Sequence, residues 1–489
     1  MSKAAAAIVW FRNDLRVVDN RALAAAAKDG GTIVPVFILD EDGKGAWPMG
    51  GASRWWLHHS LGSLGRSLAA LGAPLILRRG STVAELAGLA VETGARSIHF
   101  SRAYEPAAIA SETAVRDALG AAGIEVRRYA GALMFEPDAV RTKTGVPYKV
   151  YTPFWRSVCA GAAPRPPVPA PAALTAIARQ PKSVSLNSLA LLPTNPDWSA
   201  GLKAAWTPGE AGAASRLDRF LEDAAPQYAE GRNRPDRPGT SRLSPHLHHG
   251  EISPATCWHA AARVEATAAT DAARASLETF RKELVWREFS YNLLFNWPSL
   301  PEAPFNPSFA AFPWLESPDH LTAWQRGQTG YPIVDAGMRE LWQTGWMHNR
   351  VRMIVGSFLV KNLLVSWQSG EAWFWDTLVD ADLAANAASW QWVAGSGADA
   401  APYFRIFNSV KQGETFDPDG AYVRRCVPEL ARVPTKFIHQ PWSAPHDILA
   451  AAGVTLGGTY PAPIVDHAVT RARALRAYDA VKMVNTDGM

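Results

Sequence analysis

Residues 1–130 alternate short apolar runs with amphipathic segments, and this alternation restricts the fold more than any other feature of the sequence. Strands that alternate with helices in this way form a parallel sheet with right-handed crossovers. The candidate strands are residues 8–11, 33–39, 75–77, 97–100 and 125–128. The predicted helices between them are residues 21–27, 54–71, 83–93 and 107–121. We therefore predict an α/β amino-terminal domain with a parallel five-stranded, Rossmann-like sheet. No GxGxxG motif opens a helix here, so the usual glycine turn for a dinucleotide is not indicated.

The rest of the chain is predicted to be a connection followed by helices. Residues 160–171, AGAAPRPPVPAP, are too rich in proline for a helix or a central strand. From about Gly209 the apolar pattern is helical to the end. We expect an α/β domain at 1–130, an interdomain linker at 131–208 and a larger all-α domain at 209–489.

Composition narrows the class of protein. The chain of 489 residues is 48% hydrophobic and 19% charged, which is ordinary for a folded protein of two or three domains. Cys159, Cys257 and Cys426 are widely spaced, so neither a disulfide framework nor a cysteine-bound metal is indicated. No apolar stretch of about 18 residues exists that would span a membrane. We expect a monomeric cytoplasmic protein whose net charge of +4 permits a local basic groove.

The segment 380–392, DADLAANAASWQW, predicts a helical face with unusual chemistry. A helical turn takes about 3.6 residues, so Asp382, Asn386 and Trp390 share a stripe, whereas Trp392 points nearly the opposite way. The stripe suits a flavin: Asp382 can accept from ring or ribityl donors, Asn386 can meet a ring nitrogen without a charge, and Trp390 can donate an electron. An ordinary amphipathic core helix leaves the polar side of the stripe unexplained.

A second helical face lies in KELVWREF, where Glu283, Trp286 and Arg287 stand at i, i+3 and i+4. Such a face can bind a nucleobase, because the indole stacks, the carboxylate accepts from a base N–H, and the guanidinium reaches a phosphate or orders the pocket. An ion pair beside a core tryptophan explains these residues equally well when they are taken alone.

A third helical motif, GWMHNRVRM, places Asn349 and Met353 one turn apart and directs Arg350 and Arg352 around the helix. We expect Asn349 and Met353 to face a pocket, Arg350 to reach a phosphate, and Arg352 to pair with a carboxylate such as Asp380.

The run GTSRLSPHLHHG supplies hydroxyls at Thr240, Ser241 and Ser244 just before a proline-initiated helix. Hydroxyls and free backbone N–H groups form an anion site suited to a pyrophosphate, with Tyr228 and Arg232 at its edge. The histidines of this run lack carboxylates at metal-binding spacing, so we predict no metal site.

As a set, these motifs resemble one family, the photolyase and cryptochrome flavoproteins. FRNDLR, KVYTPFW, GTSRLSP, LVWREF, TGYPIVDAGMREL, GWMHNRVRM, DADLAANAASWQW and YFRIFN occur in the family's order and cover nearly the whole chain. The form NAASWQWVAGSGADAAPYFRIFN is most similar to the cyclobutane pyrimidine dimer photolyases of the third class, the branch nearest plant cryptochromes.

The resemblance implies an amino-terminal antenna domain and a helical domain that holds FAD in a folded, U-shaped conformation. The residues that match the FAD site are Tyr228, Thr240, Ser241, Arg242, Leu243, Ser244, Asn349, Arg352, Asp380, Asp382 and Asn386. The residues that match the electron-transfer chain to the flavin are Trp314, Trp367 and Trp390. The residues that match the lesion pocket or the DNA surface are Arg232, Glu283, Trp286, Arg287, Asn349, Arg350, Met353, Trp392 and Gln412. Catalytic roles are implied for Glu283, Asn349, Met353 and Asn386.

The implied activity is light-driven repair of cyclobutane pyrimidine dimers in single- or double-stranded DNA, after the dimer has been flipped out. Flipping is favoured because a dimer stacks and pairs poorly, which lowers the cost of extrusion. The class resemblance points to methenyltetrahydrofolate as the antenna, with deazaflavin or an empty pocket as alternatives.

Two rival activities belong to similar proteins. The first is a cryptochrome-type blue-light photoreceptor, but Asn386 occupies a position where plant cryptochromes resemble one another in carrying Asp. Little sequence follows Tyr460 to form a signalling tail. The second is repair of the (6-4) photoproduct, whose enzymes resemble one another in a His-His active site that Met347, His348 and Asn349 do not supply.

Overall fold

A parallel sheet with strand order β3-β2-β1-β4-β5 forms the amino-terminal part of the protein. The strands are β1 (Ala6–Phe11), β2 (Thr32–Leu39), β3 (Ile76–Arg79), β4 (Ala95–Ser101), β5 (Glu125–Tyr129) and a short β6 (Thr175–Ala176) that pairs with β2. In this register Ile8 pairs with Val34 of β2 on one side and with Ile98 of β4 on the other. The predicted five-stranded parallel sheet is confirmed. From β1 the strand order runs to β2 and β3 on one side and to β4 and β5 on the other, so the order reverses between β1 and β4.

Helices cover both faces of the sheet because successive residues of a strand point to opposite sides. They are α1 (Arg21–Lys28), α2 (Gly51–Leu71), α3 (Thr82–Thr93) and α4 (Pro106–Ala121). Val9 of β1 belongs to an apolar core with Leu61 of α2, whereas Ile8 belongs to the opposite core with Leu89 of α3. The side chain of Asn20 accepts a hydrogen bond from the backbone of Leu23 and so caps α1.

The remaining structure is helical apart from loops and β6. These helices are α5 (Tyr151–Ala160), α6 (Ala200–Ala205), α7 (Glu210–Arg219), α8 (Tyr228–Gly231), α9 (Ser244–His248), α10 (Pro254–Ala266), α11 (Asp271–Asn296), α12 (Pro318–Gln325), α13 (Pro332–Thr344), α14 (Asn349–Ser357), α15 (Trp367–Thr377), α16 (Leu383–Ala394), α17 (Ser409–Phe416), α18 (Ala421–Cys426), α19 (His446–Ala452) and α20 (His467–Thr486). Short π-helical segments follow α7 and α14, at Phe220–Ala224 and Phe358–Asn362.

The computed structural model describes residues 6–399 and 404–486, and the chain divides into two compact units. The sheet unit comprises Met1–Asp223, Ser241–Pro298 and Val379–Asp382. The helical unit comprises Ala224–Thr240, Ser299–Leu378 and Leu383–Met489. These units are drawn differently from the three predicted domains, because segments well beyond Gly209 belong with the sheet. Within the described ranges, no helix combines the length and apolar character needed to cross a membrane.

The proline-rich connection contributes to the core of the sheet unit. Leu174, Leu189 and Leu191 are buried in the same apolar cluster as Val9 and Leu61. Burial of three leucines contributes about 1.5–3 kcal/mol each relative to leaving them exposed. The segment predicted as a linker is therefore held against the sheet over part of its length.

Candidate functional site

Asp382, the residue immediately before α16, is an ionised carboxylate in the interior of the sheet unit. Tyr291 donates its hydroxyl to Oδ2 of Asp382 at 2.5 Å, and Nδ1 of His248 lies 3.9 Å from the same oxygen. Burial raises the pKa of Asp382, but the nearby His248 side chain and the positive charge of Arg287 outweigh it and lower the pKa to about 2. Asp382 thus keeps the negative charge that an acceptor for ring or ribityl donors requires.

Arg287 lies on α11 with its guanidinium inside the sheet unit. Its Nη1 donates to the backbone oxygen of Ala132 at 3.2 Å, and its Cζ lies 4.9 Å from the ring centroid of Tyr291. These contacts support a role in ordering the surroundings of Asp382. A contact between Arg287 and DNA stays a prediction.

Trp286, also on α11, forms a parallel stack with Tyr151 of α5. The ring centroids are 3.6 Å apart and the ring planes meet at 7°. Tyr151 donates its hydroxyl to the backbone oxygen of Lys282 at 2.7 Å, which fixes the stack on the helix. One face of the half-buried indole is therefore covered by Tyr151, and stacking of a base on Trp286 stays a prediction. Glu283 is half-buried one turn earlier on the same side of α11.

The segment 240–244, which carries the hydroxyl groups of Thr240, Ser241 and Ser244, lies at the start of α9, as its sequence predicted. Ser241 is half-buried and Ser244, the first residue of α9, is exposed, so both hydroxyls are accessible within the sheet unit. Arg242 has a φ of 50°, and its Cζ lies 4.7 Å from the ring centroid of Trp206. Thr240, which belongs to the helical unit, is half-buried. The Ser241 and Ser244 hydroxyl groups suit an anion.

In the helical unit, α14 begins at Asn349 and is capped by His348. Nδ1 of His348 accepts a hydrogen bond from the backbone N–H of Arg350 at 3.2 Å. Burial, aided by the guanidinium groups of Arg350, Arg352 and Arg232, lowers the pKa of His348 to about 3. The ring is therefore neutral and able to accept, which is a structural role that the sequence did not indicate.

Asn349 and Met353 lie one turn apart on α14, as expected from their spacing. Asn349 is exposed and Met353 is half-buried, so both can meet a bound molecule. Between them, Arg350 donates from Nη2 to Oδ1 of Asn233 at 2.6 Å, and its Cζ lies 4.4 Å from the ring centroid of Phe416. These two contacts hold the Arg350 guanidinium beside the turn that carries the two predicted pocket residues.

Tyr228 and Arg352 match the FAD site by resemblance and occupy defined positions in the helical unit. Tyr228 is buried, with the Cζ of Arg232 5.9 Å from its ring centroid. Arg352 donates from Nε to the backbone oxygen of Met347 at 2.8 Å. Its pairing with Asp380 stays a prediction.

The guanidinium groups of Arg232, Arg350 and Arg405 form a cationic cluster in the helical unit. Burial, followed by the charges of Arg232 and Arg405, lowers the pKa of Arg350. Because the neighbouring charges that act on Arg350 are positive, the cluster favours an anionic partner. Gln412, which matches the DNA surface by resemblance, is half-buried on α17 of this unit. Arg405 is a candidate contact that was not singled out from the sequence.

A small, partly open cavity in the helical unit has Met353, Lys361, Trp392, Phe404 and Arg405 among its lining residues. Lys361 donates from Nζ to the backbone oxygen of Arg405, and this nitrogen lies 4.5 Å from the ring centroid of Phe404. Burial, with a smaller effect of the Arg405 charge, lowers the pKa of Lys361 to about 7. Met353 and Trp392, two predicted lesion-pocket residues, thus line one cavity with a buried amine.

Helices α15 and α16 fix the amide and the indole of the predicted flavin stripe. Nδ2 of Asn386 donates to the backbone oxygen of Glu371 on α15 at 3.0 Å. A β-carbon built on Gly370 would lie 2.2 Å from the ring of Trp390, so the indole rests directly on the α15 backbone. Phe374 packs against the same indole with ring centroids 5.0 Å apart. Asn386 and Trp390 therefore share a face of α16, as the spacing required.

The other two predicted electron-transfer residues lie in the same unit. Trp367 is the first residue of α15 and is 1% exposed, whereas Trp314 is half-buried. The backbone N–H of Leu315 donates to the oxygen of Leu364 at 2.8 Å, which brings the segment of Trp314 beside the segment that leads to Trp367. This order, from a partly exposed to a buried tryptophan, is what a route from the surface requires.

Sequence comparisons identify the same family over both parts of the chain. A family model described as DNA photolyase matches residues 7–172, and one described as the FAD binding domain of DNA photolyase matches residues 280–480. The chain is 54% identical over 480 residues to a deoxyribodipyrimidine photo-lyase from Agrobacterium fabrum, with 98% of this chain and 99% of the relative covered. It is 40% identical to Cryptochrome-1 of Arabidopsis thaliana, with 95% and 69% covered.

Structural comparison gives a matching result. A crystal structure of a bacterial class III photolyase from Agrobacterium tumefaciens superposes with a TM-score of 0.95 at 53% sequence identity. The superposition covers 99% of each chain, so the likeness includes both the sheet and the helices.

Proposed function

The chain belongs to the DNA photolyase family, and from this premise we propose that it is a deoxyribodipyrimidine photo-lyase that repairs cyclobutane pyrimidine dimers in DNA under light. When bound, FAD would supply the photochemistry, namely a light-driven electron that splits the dimer ring and is then returned. The residues of this chain bind the cofactor, hold the flipped dimer and exclude water. No net oxidation or reduction results.

The chemistry of the candidate residues fits FAD. Asp382 offers an ionised acceptor, Asn386 offers an uncharged amide, and the Ser241 and Ser244 hydroxyls suit a pyrophosphate. Glu371, whose backbone oxygen accepts from Asn386, has carboxyl oxygens without a hydrogen-bond partner among the described residues. We propose that the cofactor is held by the residues that match the family's FAD site. They are Tyr228, Thr240, Ser241, Arg242, Leu243, Ser244, Asn349, Arg352, Asp380, Asp382 and Asn386.

The observation that carries DNA binding is the cationic cluster of Arg232, Arg350 and Arg405 in the same unit as Met353 and Trp392. Phosphates neutralise such a cluster, so affinity should rest mainly on backbone contacts and fall with salt. The dimer itself would be selected by the shape of the pocket, with Trp286 and Glu283 as stacking and hydrogen-bonding groups.

The test of this function is repair of a thymine dimer in a defined oligonucleotide by purified, FAD-loaded and reduced protein. We expect repair under near-ultraviolet or blue light in single- and double-stranded DNA and none in the dark. A fully loaded and reduced sample that fails to repair in the light would favour the alternative, a cryptochrome-type photoreceptor. That alternative has less support, because a photo-lyase is the more similar relative and Asn386 is not a carboxylate.

For the antenna we propose methenyltetrahydrofolate, with deazaflavin or no second chromophore as alternatives. Ligands of open α/β sheets bind where the strand order reverses, which is between β1 and β4 here. At that edge Arg12 pairs with Glu112 at 2.7 Å, and Ser101 donates to Asp14 at 2.7 Å. A chromophore at this edge must compete with those internal bonds. The absorption spectrum of the purified protein, before and after denaturation, distinguishes folate, deazaflavin and flavin alone.

We also propose that the protein acts as a monomer in the cytoplasm. Its widely spaced cysteines, of which Cys257 and Cys426 are buried, suit a reducing compartment. Size-exclusion chromatography with light scattering tests the monomer, and fractionation of the source cells tests the location.

A further inference from the structure

Glu371 on α15 is a buried carboxyl group whose hydrogen-bonding capacity is unused by the described part of the chain. The residue is 0% exposed, and neither Oε1 nor Oε2 has a hydrogen-bond partner among the described residues. An ionised carboxylate in such surroundings loses its hydration without compensation, so the neutral acid is strongly favoured. Burial, followed by the negative charge of Glu302, raises the pKa of Glu371 to about 9. At neutral pH the side chain therefore carries a proton.

Glu371 is adjacent to the predicted flavin residues of the helical unit. The backbone oxygen of Glu371 accepts the hydrogen bond from the amide of Asn386 at 3.0 Å. Gly370, its neighbour in sequence, lies directly against the ring of Trp390. The crossing of α15 and α16 thus brings together an amide, a candidate electron donor and a neutral acid.

Two other polar groups expected near the flavin, Asn386 and Asp382, do not offer an acidic proton. The amide of Asn386 is not an acid, and Asp382 is ionised because hydrogen bonding and Arg287 hold its pKa at about 2. Reduction of a flavin by one electron adds a negative charge, which a proton from a neighbouring acid neutralises. Glu371 is protonated and adjacent to Asn386, so it can serve as the acid that supplies this proton.

We propose that Glu371 is the internal proton donor that accompanies reduction of the cofactor. The electron comes from the tryptophan chain, the O–H bond of the Glu371 carboxyl group breaks, and its proton passes to the reduced flavin. A carboxylate is left behind, and it later regains a proton from water. This inference rests on the proposed function in one respect only, namely that FAD binds beside Asn386.

Infrared difference spectroscopy of the FAD-loaded protein tests the step directly. On photoreduction, the wild type should lose the carbonyl stretch of a protonated carboxyl group, and the band should shift in D2O. Glu371→Gln keeps the size and neutrality of the side chain but removes the acidic proton, so this band should vanish. Glu302→Gln changes the exposed carboxylate that acts on Glu371 and should leave the band in place. Retention of the band in Glu371→Gln would overturn the proposal.

The visible spectrum of the one-electron-reduced flavin gives a second readout, which does not depend on repair. Protonation should be slower in Glu371→Gln by roughly 10²-fold, since a positioned general acid contributes roughly 10²–10⁴-fold. Glu371→Asp retains an acid and should recover part of the rate. If Glu371→Gln does not bind FAD, Glu371→Asp is measured instead. The infrared band of its carboxyl group should then appear at a new frequency. An unmoved band in that variant contradicts the proposal.

The outcome of Asn386→Asp separates this inference from the proposed function. If that substitution leaves the flavin unaffected, FAD does not lie beside Asn386 and the proposed cofactor site is wrong. If it changes the flavin while Glu371→Gln protonates at the wild-type rate, the site stands and Glu371 is not the donor.

Discussion

Gly370 and Trp390 are in direct contact: a β-carbon on Gly370 would lie 2.2 Å from the indole ring. Real β-carbons do not approach another atom so closely, so the ring occupies the space that a side chain at position 370 would fill. The placement of Trp390, the candidate electron donor on α16, therefore depends on the absence of a side chain at position 370 of α15.

Gly370→Ala should destabilise the protein, because overpacking in a well-packed interior typically costs about 1–3 kcal/mol. This cost should exceed the gain of about 1 kcal/mol that alanine brings to a helix interior. Urea unfolding measures the difference. Gly88→Ala on α3 is a matched control, since a β-carbon there meets nothing within 4 Å. The control should be stabilised by about 0.5–1 kcal/mol, and equal behaviour of the two variants would contradict the contact.

Asn386→Asp should disfavour the fully reduced, anionic flavin, because it places a second negative charge close to the first. The substitution also removes the donor to the Glu371 backbone oxygen, so the new carboxylate would face a carbonyl. We expect FAD to stay bound, the reduction potential to fall and the repair yield to drop. Spectroelectrochemistry and a repair assay on the same sample measure these effects. Unchanged values of both would place Asn386 away from the reactive ring.

Trp314→Phe should separate photoreduction from repair. The substitution removes the proposed surface donor but keeps an aromatic ring beside Phe312, whose ring centroid is 4.3 Å from that of Trp314. Oxidised FAD should then photoreduce poorly with external thiol, whereas chemically prereduced enzyme should repair dimers at near wild-type yield. Loss of repair after prereduction would contradict the assignment.

Normal photoreduction in Trp314→Phe would mean that electrons use another route. Trp342 and Trp346 are the candidates that the sequence suggests. Trp342 is 61% exposed and stacks with Trp373 at 6.0 Å, whereas Trp346 is buried. Trp314→Phe/Trp342→Phe is therefore the double variant to measure first.

Arg350→Gln should weaken binding to dimer-containing DNA and reduce its salt dependence. Loss of one phosphate contact lowers the slope of log affinity against log salt by about 1. Fluorescence anisotropy at several salt concentrations measures this slope. Arg116→Gln on α4 is the control, because Arg116 is exposed and pairs with its neighbour Asp117. The same slope in both variants would exclude Arg350 from the DNA surface.

Lys361 should make the free energy of unfolding depend on pH between about 7 and 10.5. Its pKa is lowered by burial from the ordinary 10.5 to about 7 in the folded protein. Between these values the unfolded chain binds a proton that the folded chain does not, so stability rises as pH increases from about 7 to 10.5 and is flat below this window. Lys361→Met should be more stable near pH 7 and should lose this dependence. Parallel pH curves for the two proteins would show that Lys361 is not buried as a neutral amine.

The central strands β1 and β2 could be predicted because they are almost completely buried and read as apolar runs. The strand predicted at 33–39 is observed at Thr32–Leu39, and the helix predicted at 83–93 is observed at Thr82–Thr93. The two-residue strand Thr175–Ala176 was missed because it depends on pairing with β2 rather than on a local apolar pattern. The proline-rich segment around it gives no strand signal.

The site was predictable where residues share a helix and unpredictable where they meet through folding. Asn386 and Trp390 are one turn apart, so their common face follows from spacing alone. The stack of Tyr151 on Trp286 joins residues far apart in sequence, and the isolation of Glu371 depends on what surrounds it in three dimensions. Neither feature can be recognised from the local sequence pattern.

The sheet unit consists of segments that are far apart in the sequence, and this affects when it can fold during synthesis. Its last segment, Val379–Asp382, lies far beyond β6, the last strand of the sheet, in the sequence. A ribosome must therefore translate Ala224–Thr240 and Ser299–Leu378 of the helical unit before Asp382 can reach Tyr291, although nascent chains generally fold from the amino terminus. A fragment that stops at Asp223 contains every strand of the sheet but lacks α9 to α11 and the buried carboxylate that Tyr291 binds. The sheet can begin to form early during translation, yet its unit is finished only after these two segments of the helical unit have been made.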